Sequence, residues 1–222
     1  AKFEGLRKWC EENHCGEMFD DSPKNAGIHF LVAKMQSNSP ESHFNAIRTL
    51  YKLLPCHAPS LIDSKIPSAL LKHSLECKSS SCNAQSLSLD LFVTLYNTDA
   101  QGCGVNLSDY NIDILSLIKS KSIDMQRAAA RFLYTLVQEQ DIEIPEPVEL
   151  LKNKDKWAIA FILASLAKKK DLSNINAEES IPIILNLIRK ENEASTVATR
   201  FFASQVLNKI TTDNYDASCV LA

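Results

Sequence analysis

MQRAAARFLYTLV, residues 125–137, is the stretch of sequence that predicts the fold. Its apolar residues follow helical spacing, with the small Ala129, the bulky Leu133 four positions later and Leu136 three after that. The same spacing recurs in degraded form four more times. The recurring sets are Ala46, Leu50 and Leu53; Ser88, Phe92 and Leu95; Ile159, Leu163 and Leu166; and Ala203, Leu207 and Ile210. Each set follows another apolar helical segment, so the pattern predicts a stack of helical pairs.

The 222-residue chain has the composition of a globular protein, with 45% hydrophobic and 23% charged residues. Its five glycines are too few for a fold built from many tight turns, which favours long helices. Apolar residues recur at three and four positions rather than in alternation, so almost no strand is expected. The sequence therefore predicts an all-α fold, a right-handed α-solenoid of about five irregular helical pairs.

The central bulky residues of these sets recur at intervals of about 40 residues, as in helical-pair repeats, with one shorter interval after Leu133. Two segments, IPSALL at residues 66–71 and SLDLFVTLYN at residues 88–97, resemble the second and third helices of an armadillo repeat. A similar pair occurs at residues 181–185 and 203–207. This resemblance covers about residues 24–211 and implies an armadillo- or HEAT-like solenoid. Only Asn97 matches the asparagine that peptide-binding armadillo proteins place on the third helix, so a HEAT-like or irregular solenoid is an equal alternative.

The expected organisation has three parts. They are an N-terminal capping helix at residues 1–22, armadillo/HEAT-like repeats at residues 23–211 and a flexible tail at residues 212–222. Within the repeats, Pro55 is expected to stop one helix, because a proline removes a backbone donor. Residues 97–106 are expected to form a loop, and Ser108 is expected to cap the helix that follows.

Charge and cysteine usage limit the class of partner and the compartment. A net charge of −3 gives no global attraction to nucleic acid, so no nucleic-acid partner is expected. Seven cysteines, an odd number scattered along the chain, predict reduced thiols and a cytoplasmic or nuclear location. No glycine-rich run precedes a helix with a following Lys-Ser or Lys-Thr, so neither a phosphate-binding loop nor a cofactor is expected.

A zinc site is one candidate chemistry, and it has a simpler structural alternative. Cys10, His14 and Cys15 form a cluster, and Cys56 or His57 could complete a set of four ligands. Adjacent ligands point to different faces of a helix, however, and the paired Cys-x2-4-Cys signature of structural zinc is absent. No metal is therefore expected.

A cysteine-dependent hydrolase or modifying enzyme is the alternative from another functional class. Its site would be the 97–106 loop, with Cys103 between two glycines as the nucleophile. A catalytic cysteine needs a histidine within hydrogen-bond reach. All five histidines lie in the N-terminal third of the sequence, and a solenoid does not bring distant repeats together. A non-catalytic protein is therefore the first prediction.

Two further features have structural explanations. Lys168, Lys169 and Lys170 lie at a predicted helix end, where cations oppose the helix dipole. Trp157 and Phe161 share one face of the same helix, and we expect them to pack in the core rather than to stack on nucleic-acid bases.

Binding by shape is the remaining mode of action. Each repeated helix has a central bulky residue, such as Leu133 in the set of Ala129, Leu133 and Leu136. The residue two positions before it and the residues two and five positions after it lie on one face of the helix. This predicted row consists of Arg48 and Lys52; Asp90, Thr94 and Asn97; Arg131, Thr135 and Gln138; Ser165 and Lys168; and Gln205 and Lys209. Apart from Phe161 it is polar in every repeat and mostly basic. The row is therefore expected to line a groove that binds an acidic or phosphorylated protein segment, the alternative being a solvated face.

The last four residues, Cys219-Val220-Leu221-Ala222, match the C-a-a-X pattern that farnesyltransferases read. The preceding tail is acidic and carries no nearby second cysteine, so a farnesyl group on Cys219 would give reversible membrane attachment only. The expected location is then the cytosol with a peripheral membrane pool, or those of a eukaryotic host if the protein is a bacterial effector. A chance match is the alternative.

Overall fold

The computed structural model describes residues 26–35, 39–62, 65–76, 82–110, 113–140, 142–189 and 196–213. Within these ranges the ordered elements are helices and no residue lies in a strand, which confirms the predicted all-α class. The chain divides into two compact units, which we call unit 1 (Ala1–Tyr110) and unit 2 (Asn111–Ala222). The predicted capping helix of residues 1–22 lies outside the described residues.

Unit 1 is built from helices that pack in pairs. They are α1 (Ala26–Met35), α2 (Pro40–Ile62), α3 (Ile66–Glu76), α4 (Cys82–Thr98) and α5 (Ala100–Cys103). α1 packs on α2, α3 packs on α4, and α2 also packs on α4. The buried Ser88 hydroxyl of α4 donates a hydrogen bond to the Leu70 carbonyl of α3 at 3.2 Å. A serine at the small-residue position of the repeated pattern therefore fits a close approach of two helices.

Pro55 does not stop α2, so that prediction is wrong. The helix continues to Ile62 and is kinked at His57, where φ is −130° and ψ is 16°. The break thus follows the proline by two residues. Pro59 then falls in the first turn after the kink, where a missing backbone N–H leaves no helical hydrogen bond unmade.

The predicted 97–106 loop and the Ser108 cap are also wrong. α5 occupies part of the loop, and the Asp99 carboxylate begins this helix by accepting a hydrogen bond from the Gly102 N–H at 2.9 Å. Gly104 ends α5 at a φ of 60°, a left-handed conformation that glycine adopts without strain. The next α-helix begins later, capped by Asp113, which accepts from the Ser116 N–H at 3.0 Å.

The described residues of unit 2 form three successive helix pairs. They are α6 (Ile114–Ile118) with α7 (Ile123–Glu139), α8 (Pro147–Leu151) with α9 (Lys156–Lys168), and α10 (Ala177–Ile188) with α11 (Val197–Asp213). The second helices pack side by side, α7 on α9 and α9 on α11, while α10 packs on α8. Lys119 after α6 donates to Glu146 before α8 at 2.7 Å. The second helices α7, α9 and α11 therefore form one layer.

The repeated apolar sets supply the core, as their spacing predicts. Ala129, Leu133 and Leu136 are buried in unit 2, and the sets beginning at Ser88 and Ile159 are buried completely. Leu53 and Leu207 are the half-exposed members. The small residue of each set lets a neighbouring helix approach closely, and the bulky residues then fill the space between helices.

Unit 1 also buries a pair of histidines. The rings of His43 on α2 and His73 on α3 meet edge to face, with centroids 5.1 Å apart. Neither nitrogen of the His73 ring has a hydrogen-bond partner. Burial, with a further contribution from His43, lowers the pKa of His73 to about 4. His73 is therefore neutral near pH 7, and its protonation opposes folding.

Acid is expected to destabilise unit 1 through His73. The unfolded chain binds this proton near pH 6.5 and the folded chain only near pH 4, so stability is lost as pH falls through that interval. The expected loss is about 2 kcal/mol at pH 5 relative to pH 7. Urea unfolding of the protein and of His73→Phe at both pH values measures it. If the variant loses as much stability as the parent protein between these pH values, the histidine is not responsible.

Candidate functional site

A polar network fixes the alignment of α7 and α9. Arg127 on α7 donates from Nε to both carboxylate oxygens of Asp155, each at 3.1 Å, and from a terminal nitrogen at 2.8 Å. Asp155 immediately precedes α9. Further along both helices, the rings of Tyr134 and Phe161 lie 6.4 Å apart. Because the later residue of α7 contacts the later residue of the α9 segment, α7 and α9 run in the same direction.

Asp155 both pairs with Arg127 and begins α9. Its carboxylate accepts hydrogen bonds from the backbone N–H groups of Trp157 at 3.1 Å and Ala158 at 2.9 Å. Its side chain is 9% exposed, whereas that of Arg127 is 42% exposed. Burial opposes the charged carboxylate, but the hydrogen bonds from Arg127 and from the backbone outweigh it and hold the pKa of Asp155 below its usual range.

Lys209 aligns α11 with α9. Its ammonium donates to the Ala167 carbonyl at 3.0 Å and to the Lys169 carbonyl, both at the C-terminal end of α9. These carbonyls have no partner within the helix, and a cation there also opposes the helix dipole. The C-terminal ends of α9 and α11 are therefore adjacent, and the two packed helices run in the same direction.

The three parallel helices share one solvent-facing side, which we call the outer face of unit 2. It lies opposite the buried sets that contain Leu133, Leu163 and Ala203. Helical spacing assigns to it the following exposed and half-exposed residues: Arg127, Arg131, Tyr134 and Gln138 of α7; Trp157, Phe161 and Lys168 of α9; and Phe201, Gln205 and Asn208 of α11.

The predicted row contains one aromatic residue on this face, Phe161, whereas the structure places Tyr134, Trp157 and Phe201 there as well. Trp157, predicted to pack in the core, is 49% exposed, and Phe201 is 57% exposed. Phe161 is half-exposed and contacts Tyr134. The prediction for Trp157 is wrong because its position near the start of α9 faces away from the core set of Ile159, Leu163 and Leu166.

Part of the predicted row lies on the outer face. Arg131, Gln138, Lys168 and Gln205 are exposed or half-exposed there. Thr135 and Ser165 are instead buried, so the expected exposure is wrong for both. In α7 and α9, the position two after the central bulky residue points toward a neighbouring helix rather than outward. Lys209, at the same position of α11, is half-exposed and holds the end of α9.

Short hydroxyl side chains suit these interhelical positions. Ser165 donates to the Phe161 carbonyl at 2.8 Å, and Thr135 donates to the Arg131 carbonyl at 3.4 Å. Each hydroxyl thus finds its partner in the preceding turn of its own helix, which satisfies a buried polar group. A short hydroxyl side chain is therefore the feature in the sequence that distinguishes Thr135 and Ser165 from the residues of the outer face.

All five residues of the predicted row that lie in unit 1 are exposed or half-exposed. Arg48, Lys52 and Asn97 are exposed, whereas Asp90 and Thr94 are half-exposed. Thr94 donates to the Asp90 carbonyl at 2.8 Å, the same arrangement as in unit 2. Arg48 and Lys52 of α2 and Asn97 of α4 thus have the solvent access that partner binding requires.

The alternative cysteine site lacks a nucleophile with access. Cys103 is buried, and its burial, with a contribution from Asp99, raises the pKa of the thiol to about 11. The thiolate that attacks a substrate is therefore scarce at neutral pH. This observation weighs against Cys103 as a catalytic residue.

The residues of the candidate zinc site, which was not expected to hold a metal, and of the predicted lipid site fall mostly outside the described part of the chain. Cys10, His14, Cys15 and Cys219 lie there, and the Cys56 side chain is likewise not described. Among the described residues, no three His, Cys, Asp or Glu side chains are grouped so that they could hold a metal ion. Farnesylation of Cys219 stays a prediction.

Comparison with known proteins identifies no relative. No family model, no curated protein and no solved structure matches this chain. In the described ranges, no helix combines the length and apolar character needed to cross a membrane.

Proposed function

We propose that this chain is a non-catalytic interaction module, a short armadillo- or HEAT-like α-solenoid that binds an acidic or phosphorylated protein segment. The packing of successive second helices in unit 2 supports the repeat architecture, because stacked repeats bury each other's apolar sides. Unit 1, taken by itself, packs α1 with α2 and α3 with α4. The outer face of unit 2 is the proposed binding surface.

The distribution of charge is the observation that carries this proposal. The chain as a whole has a net charge of −3. Helices α7, α9 and α11 nevertheless carry a basic excess. Their basic residues are Arg127, Arg131, Lys156, Lys168, Arg200 and Lys209, and their acidic residues are Asp124, Glu139 and Asp213, all near helix ends. Asp155, which caps α9, neutralises Arg127, and the remaining basic residues still outnumber the acidic ones. A locally positive surface attracts and orients an anionic segment even on a chain of opposite net charge.

The side chains on the outer face suit a peptide ligand. Arg131 and Lys168 can pair with carboxylates or phosphates. Gln138, Gln205 and Asn208 each carry an amide that donates and accepts hydrogen bonds, as the backbone of a bound segment requires. The outer face therefore combines groups for anionic side chains with groups for a peptide backbone.

Reversing two charges on the outer face tests the proposal. Arg131→Glu combined with Lys168→Glu is expected to weaken binding to acidic and phosphorylated peptides at least about tenfold, because attraction becomes repulsion. A peptide array identifies binders of the parent protein, and fluorescence anisotropy then measures their affinities. Circular dichroism verifies that helicity is retained.

A matched variant controls for net charge. Lys121→Glu combined with Lys170→Glu makes the same charge change at exposed residues of unit 2 that lie outside α7, α9 and α11. It is expected to weaken binding less than the first variant does. Equal losses in the two variants, or no acidic peptide bound at all, would contradict the proposed site.

A further inference from the structure

The aromatic residues of the outer face form one patch across three helices. Tyr134 and Phe161 are level with each other, as their ring contact shows. The contact of Lys209 with Ala167 fixes the level of α11 against α9. Phe201 lies eight residues before Lys209, and Ile159 lies eight residues before Ala167. Phe201 is therefore level with Ile159, within one turn of Phe161. Trp157 lies one turn before Phe161. We call these four residues the aromatic patch.

Part of the aromatic patch is not covered by the rest of unit 2. Trp157 and Phe201 have about half of their surface in contact with solvent. Neighbouring packed helices are about 8–10 Å apart, so the two rings can contact one ligand. Large aromatic side chains of this kind supply much of the binding energy at protein interfaces.

Basic side chains lie beside two residues of the aromatic patch, Trp157 and Tyr134. The Lys156 ammonium lies 6.0 Å from the centre of the Trp157 ring. Arg131 precedes Tyr134 by nearly one turn of α7. Asp155, just before α9, is paired with Arg127, and α9 itself contains no acidic residue. In α11 the acidic residue is the last one, Asp213. A ligand that covers the rings therefore places its own flanking groups in a positive environment.

We propose that the aromatic patch anchors apolar side chains of the bound segment, so that the partner is an acidic peptide with at least two aliphatic or aromatic residues. This inference rests on the proposed function and specifies its ligand. The carboxylates of the segment lie against Arg131 and Lys156. Its apolar side chains cover Trp157 and Phe201, which removes their exposed surface from water.

The polar residues of the outer face favour a peptide over a lipid surface. Gln138, Gln205 and Asn208 lie on the same side as the aromatic patch. Their amides can pair with a peptide backbone, whereas in contact with lipid hydrocarbon they would lose water without gaining a partner. A peptide segment satisfies the amides, the cations and the aromatic rings together.

Three synthetic peptides test the ligand. The first is an acidic peptide with two phenylalanines, prepared at several spacings; the second replaces both phenylalanines with serine; the third replaces the acidic residues with lysine. Fluorescence anisotropy with the full chain is expected to show binding of the first peptide at one or more spacings. The second is expected to bind at least about tenfold more weakly, and the third not to bind.

Two variants locate the anchors. Trp157→Ala and Phe201→Ala are each expected to weaken the first peptide about tenfold or more, with little effect on the serine peptide. Both residues are exposed, so thermal unfolding should change little. Tyr51→Ala is the matched control, because it removes an exposed aromatic residue from unit 1.

The outcomes separate this inference from the proposed function. Equal affinity for the first and second peptides, with loss of both in the Arg131→Glu and Lys168→Glu variant, overturns the apolar anchors and retains the acidic groove. Failure of every acidic peptide to bind overturns both. A third outcome is that no peptide binds, while the protein sediments with vesicles containing phosphatidylserine and Trp157→Ala does not. The occupant is then a lipid surface, and the inference is overturned.

Discussion

Leu133→Ala is expected to lower the free energy of unfolding of unit 2 by about 3–5 kcal/mol. Leu133 is the central bulky residue of the set that defines the repeated pattern, and its side chain is 0% exposed. It lies on α7, which packs against α6 and α9. Removing three carbons there leaves a cavity that rigid neighbouring helices fill only in part. Urea unfolding followed by circular dichroism measures the loss.

Leu207→Ala is the matched control for Leu133→Ala. Leu207 occupies the same position of the repeated pattern on α11, but it is half-exposed. Its replacement is expected to cost about 1 kcal/mol, because less apolar area leaves water on folding. If both variants lose the same stability, the repeated pattern does not distinguish core positions in the way we describe.

Asp155→Ala is expected to lower the free energy of unfolding of unit 2 by about 2–3 kcal/mol. The variant loses the cap of α9, a contribution of roughly 1 kcal/mol, and the charged hydrogen bonds with Arg127, which contribute about 1–2 kcal/mol more. Arg127 is partly exposed and can regain water, which limits the loss. Urea unfolding gives the total, and hydrogen exchange at the Trp157 and Ala158 amides reports the cap.

Two variants separate the contributions of the Asp155 side chain. Asp113→Ala removes only the cap of α6, so its expected cost is about 1 kcal/mol. Asp155→Asn retains a cap oxygen and removes the charge that pairs with Arg127. A loss in Asp155→Ala no larger than that in Asp113→Ala would show that the ion pair with Arg127 contributes nothing to stability.

The sequence predicted the helices and their core well because both depend on local spacing. The set of Ala129, Leu133 and Leu136 marks the buried side of α7 directly, and its recurrences mark α4 and α9 equally well. Helix ends were predicted less accurately. Pro55 was expected to stop α2, but a proline removes only one hydrogen bond, and packing carries the chain to the kink at His57.

The candidate site was predicted in part. Arg131 and Lys168 follow from helical spacing, since it distinguishes the outer side of a helix from the core. Spacing does not tell whether a side position meets a neighbouring helix, so the burial of Thr135 was missed. Trp157 was misassigned because an aromatic residue beside an apolar stripe resembles a core residue. The pairing of Arg127 with Asp155 spans two helix pairs and has no local signal.

The most direct test of the account is to locate the bound segment on the protein. Backbone amide chemical shifts of the isotope-labelled full chain are recorded during titration with the acidic peptide that carries two phenylalanines. We predict that the largest changes fall on the outer face of unit 2, around Arg131, Trp157 and Phe201. Changes confined to unit 1 or to α8 and α10, or no change at saturating peptide, would contradict it.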